Sequence, residues 1–182
     1  MRRDKEKNMS SLRHRLRRIR YSAGGFTLAE ILLVVVIIAI AAAIAVPMIG
    51  SMDSVQIRAA ANVIAADLEY AKSMAISRQE NYSVFFNPAG GFYEVCGADG
   101  TMIKHPVTKK DYRVTFSSDS RLENVVIDDA DFDSSDTITF DYLGSPYSGS
   151  VTPLNSGTIS IEAGDFSMTI RVEPVTGFIS IE

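Results

Sequence analysis

From Ile31 to Met52 the chain carries no charged side chain, a run of about 22 residues, close to the ~20 that cross a bilayer as a helix. Any fold must place that run in lipid or against other apolar surface. Glu30 stands immediately before it. On insertion scales a lone acid at a helix centre costs on the order of 2.5–3.5 kcal/mol, so a chain that keeps one beside such a run usually uses it. Upstream, the first 20 residues hold nine Lys and Arg against only Asp4 and Glu6. The positive-inside rule then holds the N-terminus in the cytoplasm and sends the remainder across. Pro47 and Gly50 lie in the distal part of the run, and both weaken a helix. A bend or local unwinding is expected over residues 44–50.

Three readings fit this segment. A secretory signal peptide would be cut near Ala43-Ile44-Ala45, but it leaves Glu30 unexplained. A plain signal anchor would place Glu30 at the interface. The third makes Gly25-Phe26 a processing site and Glu30 a functional charge. The stretch Gly25-Phe26-Thr27-Leu28-Ala29-Glu30, with a basic leader before and an apolar helix after, resembles the class III signal of type IV pilins and type II secretion pseudopilins. The resemblance implies that a membrane prepilin peptidase cuts after Gly25 and methylates the new amine of Phe26. It also implies that Glu30 serves filament assembly by meeting that amine, on its own subunit or a neighbour. Met9 could replace Met1 as the true start.

Without residues 1–25 the chain keeps nine basic and 20 acidic side chains, a net of about −11 with His neutral. Such a chain is poorly suited to holding nucleic acid through phosphates. Cys96 is the single cysteine. No intrachain disulfide can form, and a small buried hydrophobe is its expected role.

The helix is expected to run on from Phe26 to about Arg78, roughly 80 Å at ~1.5 Å per residue. Ile57, Ala60, Ala61, Ile64, Leu68, Ala71 and Ala75 recur at three- and four-residue spacing and mark one apolar face. After Asn81 the period becomes two. Strands are predicted at 82–87, 92–95, 112–116, 124–127, 137–142, 158–162, 166–173 and 178–182, the last three as a meander. Residues 144–156, rich in Gly, Ser and Pro, read as an exposed loop.

The passage Leu68-Glu69-Tyr70-Ala71-Lys72-Ser73-Met74-Ala75-Ile76-Ser77-Arg78 resembles the helix-to-strand passage of the H-type minor pseudopilins, the GspH/FimT family. Lys72 stands where Arg is common there. The closing Ile170–Ile179 segment around Gly177 resembles that group's terminal hairpin. The resemblance implies an α+β, pilin-like fold: a long N-terminal transmembrane helix packed on a C-terminal antiparallel β-sheet or sandwich domain. The expected divisions are a leader at 1–25, a transmembrane helix at 26–52, its amphipathic continuation at 53–80 and a β-rich domain at 81–182.

Few residues suit chemistry. His105 is the one histidine beyond the leader, and nothing in the sequence sets it near Cys96 or a candidate serine. Neither a phosphate-cradling glycine motif nor zinc-ligand spacing is present. Asp129, Asp131 and Asp133 have the spacing of a calcium loop, but Ser134 replaces its glycine and Phe140 its bidentate Glu. The stretch 128–136 is read as a solvated acidic loop, with calcium left open and no metal site or cofactor assigned. Lys104, Lys109, Lys110 and Arg113 form a small basic patch. Minor pilins of the FimT kind can bind DNA near the C-terminus, but residues 178–182 carry no Lys or Arg.

The expected protein is therefore not an enzyme. It is a minor pseudopilin in the periplasmic pseudopilus of a type II secretion system, anchored once in the inner membrane with its β-domain outside the cytoplasm. Its expected partners are other pilins in a helical filament, the prepilin peptidase, membrane lipid, and secreted cargo or a secretin; DNA is not expected. The alternative is a FimT-like minor type IV pilin for pilus assembly or DNA uptake.

Overall fold

The computed structural model of the chain describes residues 25–182, without the side chains of 44–51. The chain divides into two compact units, Met1–Ala43 and Ile44–Glu182. A single helix, α1 (Leu28–Arg78), has its first turns in one unit and its remainder in the other.

In the first unit every described helical side chain up to Ala43 is exposed, Leu28 at 82 % and Ile38 at 61 %. A helix apolar on all faces needs lipid or other helices around it. Among the described residues no helix is long and apolar enough to cross a membrane. Residues 1–24 of the expected leader lie outside the described residues, as do the side chains of Ile44 and Ala45 at the alternative cleavage site. Of the bend or unwinding expected over 44–50, the unwinding does not occur, since α1 runs unbroken through these residues. A proline removes one intrahelical donor, which leaves the rest of a 51-residue ladder in place.

In the second unit the predicted apolar face is the buried one. Ala60, Ala61, Ile64, Leu68, Ala71 and Ala75 are wholly inaccessible, and Ile57 nearly so. The alanines let the helix approach closely, while Leu68 and Ile64 each supply ~1.5–3 kcal/mol of burial. Gln79, in the left-handed region at φ 58°, ends the helix. Beyond it the Glu80 N–H donates to the Ala75 carbonyl at 3.3 Å, the cross-bond of a Schellman cap.

Ten strands follow: β1 (Tyr82–Asn87), β2 (Phe92–Cys96), β3 (Arg113–Thr115), β4 (Val126–Phe132), β5 (Thr137–Phe140), β6 (Pro146–Ser148), β7 (Thr152–Pro153), β8 (Gly157–Ala163), β9 (Phe166–Val172) and β10 (Ile179–Ile181). They make two antiparallel sheets, β3-β2-β1-β5-β6-β7 and β10-β9-β8-β4. Alternation puts Tyr82, Val84 and Phe86 of β1 and Tyr93 and Val95 of β2 in the core. Phe86 lies 5.7 Å from Phe132, ring to ring, joining the two sheets. β8, β9 and β10 form the expected meander.

Two expectations for the β-rich part fail. Residues 144–156 are not one exposed loop: β6 pairs with β5 and β7 with β6, and Leu154 is buried. Pro153 lies in β7, at the sheet's rim, where a missing N–H does no harm. The acidic stretch 128–136 is not wholly a loop either, because its first half continues β4. A register shift between Ile127 and Asp129 absorbs one residue. Ile127, Ala130 and Phe132 therefore all face inward while Asp128, Asp129 and Asp131 face solvent. The aspartates and the bulge together hide the alternation.

Candidate functional site

Three places carry the side chains singled out above, and a fourth emerges only from the fold. At the helix start, Gly25 and Phe26 lie just outside α1, with Phe26 77 % exposed. Thr27 is the cap. Its Oγ1 accepts the Glu30 N–H at 3.2 Å, and its carbonyl accepts the Glu30 and Ile31 N–H groups at 3.0 and 3.2 Å. Thr27 and Glu30 thus occupy the Ncap and N3 positions of a capping box. A carboxylate there also faces the positive end of the helix dipole. The Thr-x-x-Glu spacing that signals this cap is legible in the sequence. The scissile bond expected after Gly25 would lie one residue ahead of this cap.

The structure assembles a cluster that the sequence did not suggest. Asp67, on α1 beside Leu68, accepts the Tyr93 hydroxyl at 2.6 Å and the Tyr112 hydroxyl at 2.8 Å. Burial pushes the Asp67 carboxyl above its ordinary value, against the opposing pull of both tyrosines and of His105. Burial and the adjoining Asp67 in turn raise both phenols. His105 lies edge-on to Tyr112, centroids 4.5 Å apart. Its Nδ1 accepts the Val107 and Thr108 N–H groups at 3.1 and 3.2 Å. No hydrogen bond among the described residues joins His105 to a serine or cysteine. It organises its own turn. Cys96 is buried at 8 % exposure, and that burial raises its thiol.

Two of the four cations in the basic patch are paired. Lys104 pairs with Asp111 at 2.5 Å, and Arg113 pairs with Glu94 while stacking over Phe92 at 4.6 Å. Nearby, Arg121 pairs with Asp119 at 2.7 Å and holds that carboxyl down at about 2. Asp111, Arg113, Asp119 and Arg121 border a cleft of ≈ 650 Å³ that Val63, Asp67, Lys110 and Thr115 also line.

The calcium-like spacing does not produce a calcium loop. Asp129 and Asp131 are on β4, and Asp131 accepts the Ser134 N–H at 2.6 Å. Asp133 accepts the Asn155 and Ser156 N–H groups at 2.7 and 3.1 Å. Among the described residues no group of three His, Cys, Asp or Glu side chains could hold a metal ion.

Residues 60–176 match the family model described as Type II transport protein GspH, and residues 20–46 match the prokaryotic N-terminal methylation motif. No curated protein matches the sequence. Among solved structures, the minor pseudopilin EpsH of the Vibrio cholerae type 2 secretion system is similar at TM-score 0.51 and 13 % identity, over 70 % of this chain and 96 % of that one. The type IV minor pilin FimU of Pseudomonas aeruginosa is similar at TM-score 0.44 and 18 % identity, over 69 % of this chain and 91 % of that one. At such identity the EpsH likeness bears on fold alone: a helix packed on antiparallel sheets.

Proposed function

Because the chain belongs to the Type II transport protein GspH family, we propose that it works as a minor pseudopilin, a structural subunit of the filament in type II secretion. The observation that carries this reading is the union of two matches in one chain. A GspH domain occupies the globular part, and a methylation motif covers the head of the helix. The motif belongs to membrane-inserted precursors, and the all-apolar, exposed start of α1 suits such a location.

The finer steps are part of the same proposal. A prepilin peptidase removes residues 1–25 and methylates Phe26. The chain waits in the inner membrane over residues 26–52, N-terminus cytoplasmic, with 53–80 and 81–182 outside. It then enters a helical filament in which Glu30 neutralises a Phe26 amine. The protein works by assembly, with no catalytic residue of its own. The net charge of about −11 beyond residue 25 speaks against phosphate binding and so against DNA uptake. Deletion and complementation test the reading. Loss of cargo export, restored by the gene, is expected. Intact export with loss of pili or DNA uptake would replace it with the minor-pilin alternative.

A further inference from the structure

Cations are scarce in this acidic chain, yet they gather. Of the nine Lys and Arg beyond residue 25, five lie from Lys104 to Arg121, and three of these, Lys110, Arg113 and Arg121, line the cleft beside α1 and β3. The acids there are already engaged. Asp67 holds two tyrosines, Asp111 holds Lys104 and Asp119 holds Arg121. Lys110, on the cleft wall, has no partner among the described residues, nor does Lys109 before it. Lys109 adopts φ 60°, a conformation that costs an ordinary residue roughly 1–2 kcal/mol. The turn is fastened by the His105 carbonyl, which accepts the Lys109 N–H at 3.0 Å, and by the Lys110 carbonyl, which accepts the His105 N–H at 2.9 Å. The unengaged charge at the cleft is therefore positive and stands on a turn tied by two backbone hydrogen bonds.

The floor of the cleft includes a strand edge. β3 ends its sheet. The Val95 N–H donates to the Tyr112 carbonyl and the Phe116 N–H to the Gly91 carbonyl. In an antiparallel ladder such bonds alternate, so Arg113 and Thr115 turn their backbone groups away from β2. The Arg113 N–H folds back onto the Asp111 carbonyl at 2.8 Å, and the Thr115 carbonyl accepts the Ser118 hydroxyl at 2.7 Å. What faces outward is the Arg113 carbonyl and the Thr115 N–H. In the slanted pattern of parallel strands, one residue of an incoming strand satisfies both groups.

We propose that this cleft receives an extended, carboxylate-bearing segment of a neighbouring filament subunit, which adds to β3 as a parallel strand with its acids toward Lys110 and Arg121. The proposal rests on the filament reading given above. Strand addition lets main-chain hydrogen bonds supply affinity while side chains select the partner. The exposed Arg121–Asp119 pair is worth little by itself and can be exchanged for an incoming acid.

The test uses the full processed chain in detergent and two labelled octapeptides, one alternating Asp with Val and the other Lys with Val. Fluorescence anisotropy should register binding of the acidic peptide only, weakened by about 0.5 M salt, which screens exposed charges. Lys109→Glu/Lys110→Glu should weaken binding by about tenfold or more, as reversed contacts at a complementary surface do. Arg171→Glu, on the other sheet, should not. Hydrogen exchange at residues 113–116 should slow when the acidic peptide is bound. Binding of neither peptide or of both alike, binding unaffected by the double variant, or unchanged exchange at 113–116 overturns the proposal; the lysines then guard the edge of β3 against pairing. Glu30→Ala, which leaves the cleft intact, should bind the peptide like the wild type. Its assembly defect tests the filament reading separately.

Discussion

The Tyr93 hydroxyl donates to Asp67 Oδ2 at 2.6 Å from a side chain that is otherwise wholly buried. Tyr112 holds the other carboxylate oxygen at 2.8 Å. One acid thus fastens α1 to β2 and to the segment leading into β3. Asp67→Ala strands the Tyr93 hydroxyl in the core, where an unpaired polar group costs ~1–3 kcal/mol. Denaturant unfolding should register a loss of about 2 kcal/mol, with Asp67→Asn losing less because its amide can still pair.

The same carboxyl should leave a mark on pH dependence. Its folded-state value lies above the ordinary 3.8 because burial outweighs the tyrosine bonds. Folded protein therefore keeps this proton at a pH where the unfolded chain has released it, and the group's contribution to stability falls as pH rises from about 3.8 through the raised value. Asp67→Asn cannot ionise. Subtracting its stability–pH curve from that of the wild type should isolate a difference that declines with rising pH in this window. A flat difference would contradict the assignment.

Leu68→Asp sets a charge on the helix face that covers the sheets, at a position with no accessible surface. A buried unpaired carboxylate is among the most destabilising changes a core can receive. Circular dichroism of the variant should show early melting or loss of the native fold, whereas Glu69→Ala, on the exposed face, should change stability by no more than ~0.5 kcal/mol.

Processing should depend on Gly25. Mass spectrometry of the membrane-extracted protein should find a methylated Phe26 at the N-terminus, and Gly25→Val should leave the leader attached, because a branched side chain crowds the scissile position. An N-terminus at Val46 would instead mark secretory cleavage.

Much of this fold was legible in the sequence. The apolar face from Ile57 to Ala75 emerged residue for residue, because one long helix covering a core obeys a single period. β1, with Tyr82, Val84 and Phe86 inward, emerged with its bounds, and the closing meander emerged with its ends no more than one residue off. β4 was truncated because Asp128, Asp129 and Asp131 look like a loop and the bulge breaks the alternation. β6 and β7 were missed because Gly, Ser and Pro signal turns even where a short hairpin covers Leu154. The Asp67 cluster joins residues 26 and 45 positions apart. Local periodicity cannot reveal such a pairing, although an acid beside Leu68 and two inward tyrosines in need of partners were its traces.

In the proposed filament the head of α1 assembles with other subunits through Glu30. As a capping-box acid alone, Glu30 would contribute only ~0.3–1 kcal/mol to its own helix. As the partner of a buried amine its loss would cost about 3–5 kcal/mol, and each ~1.4 kcal/mol is tenfold in association. The most direct measurement is crosslinking to the other pilin-type subunits in membranes, at matched protein levels, for wild type, Thr27→Ala and Glu30→Ala. Thr27→Ala removes the cap and keeps the charge. Thr27→Ala should crosslink nearly as the wild type, and Glu30→Ala should lose crosslinking by at least about tenfold. Equal crosslinking by all three, with cargo export intact, would contradict this role of Glu30.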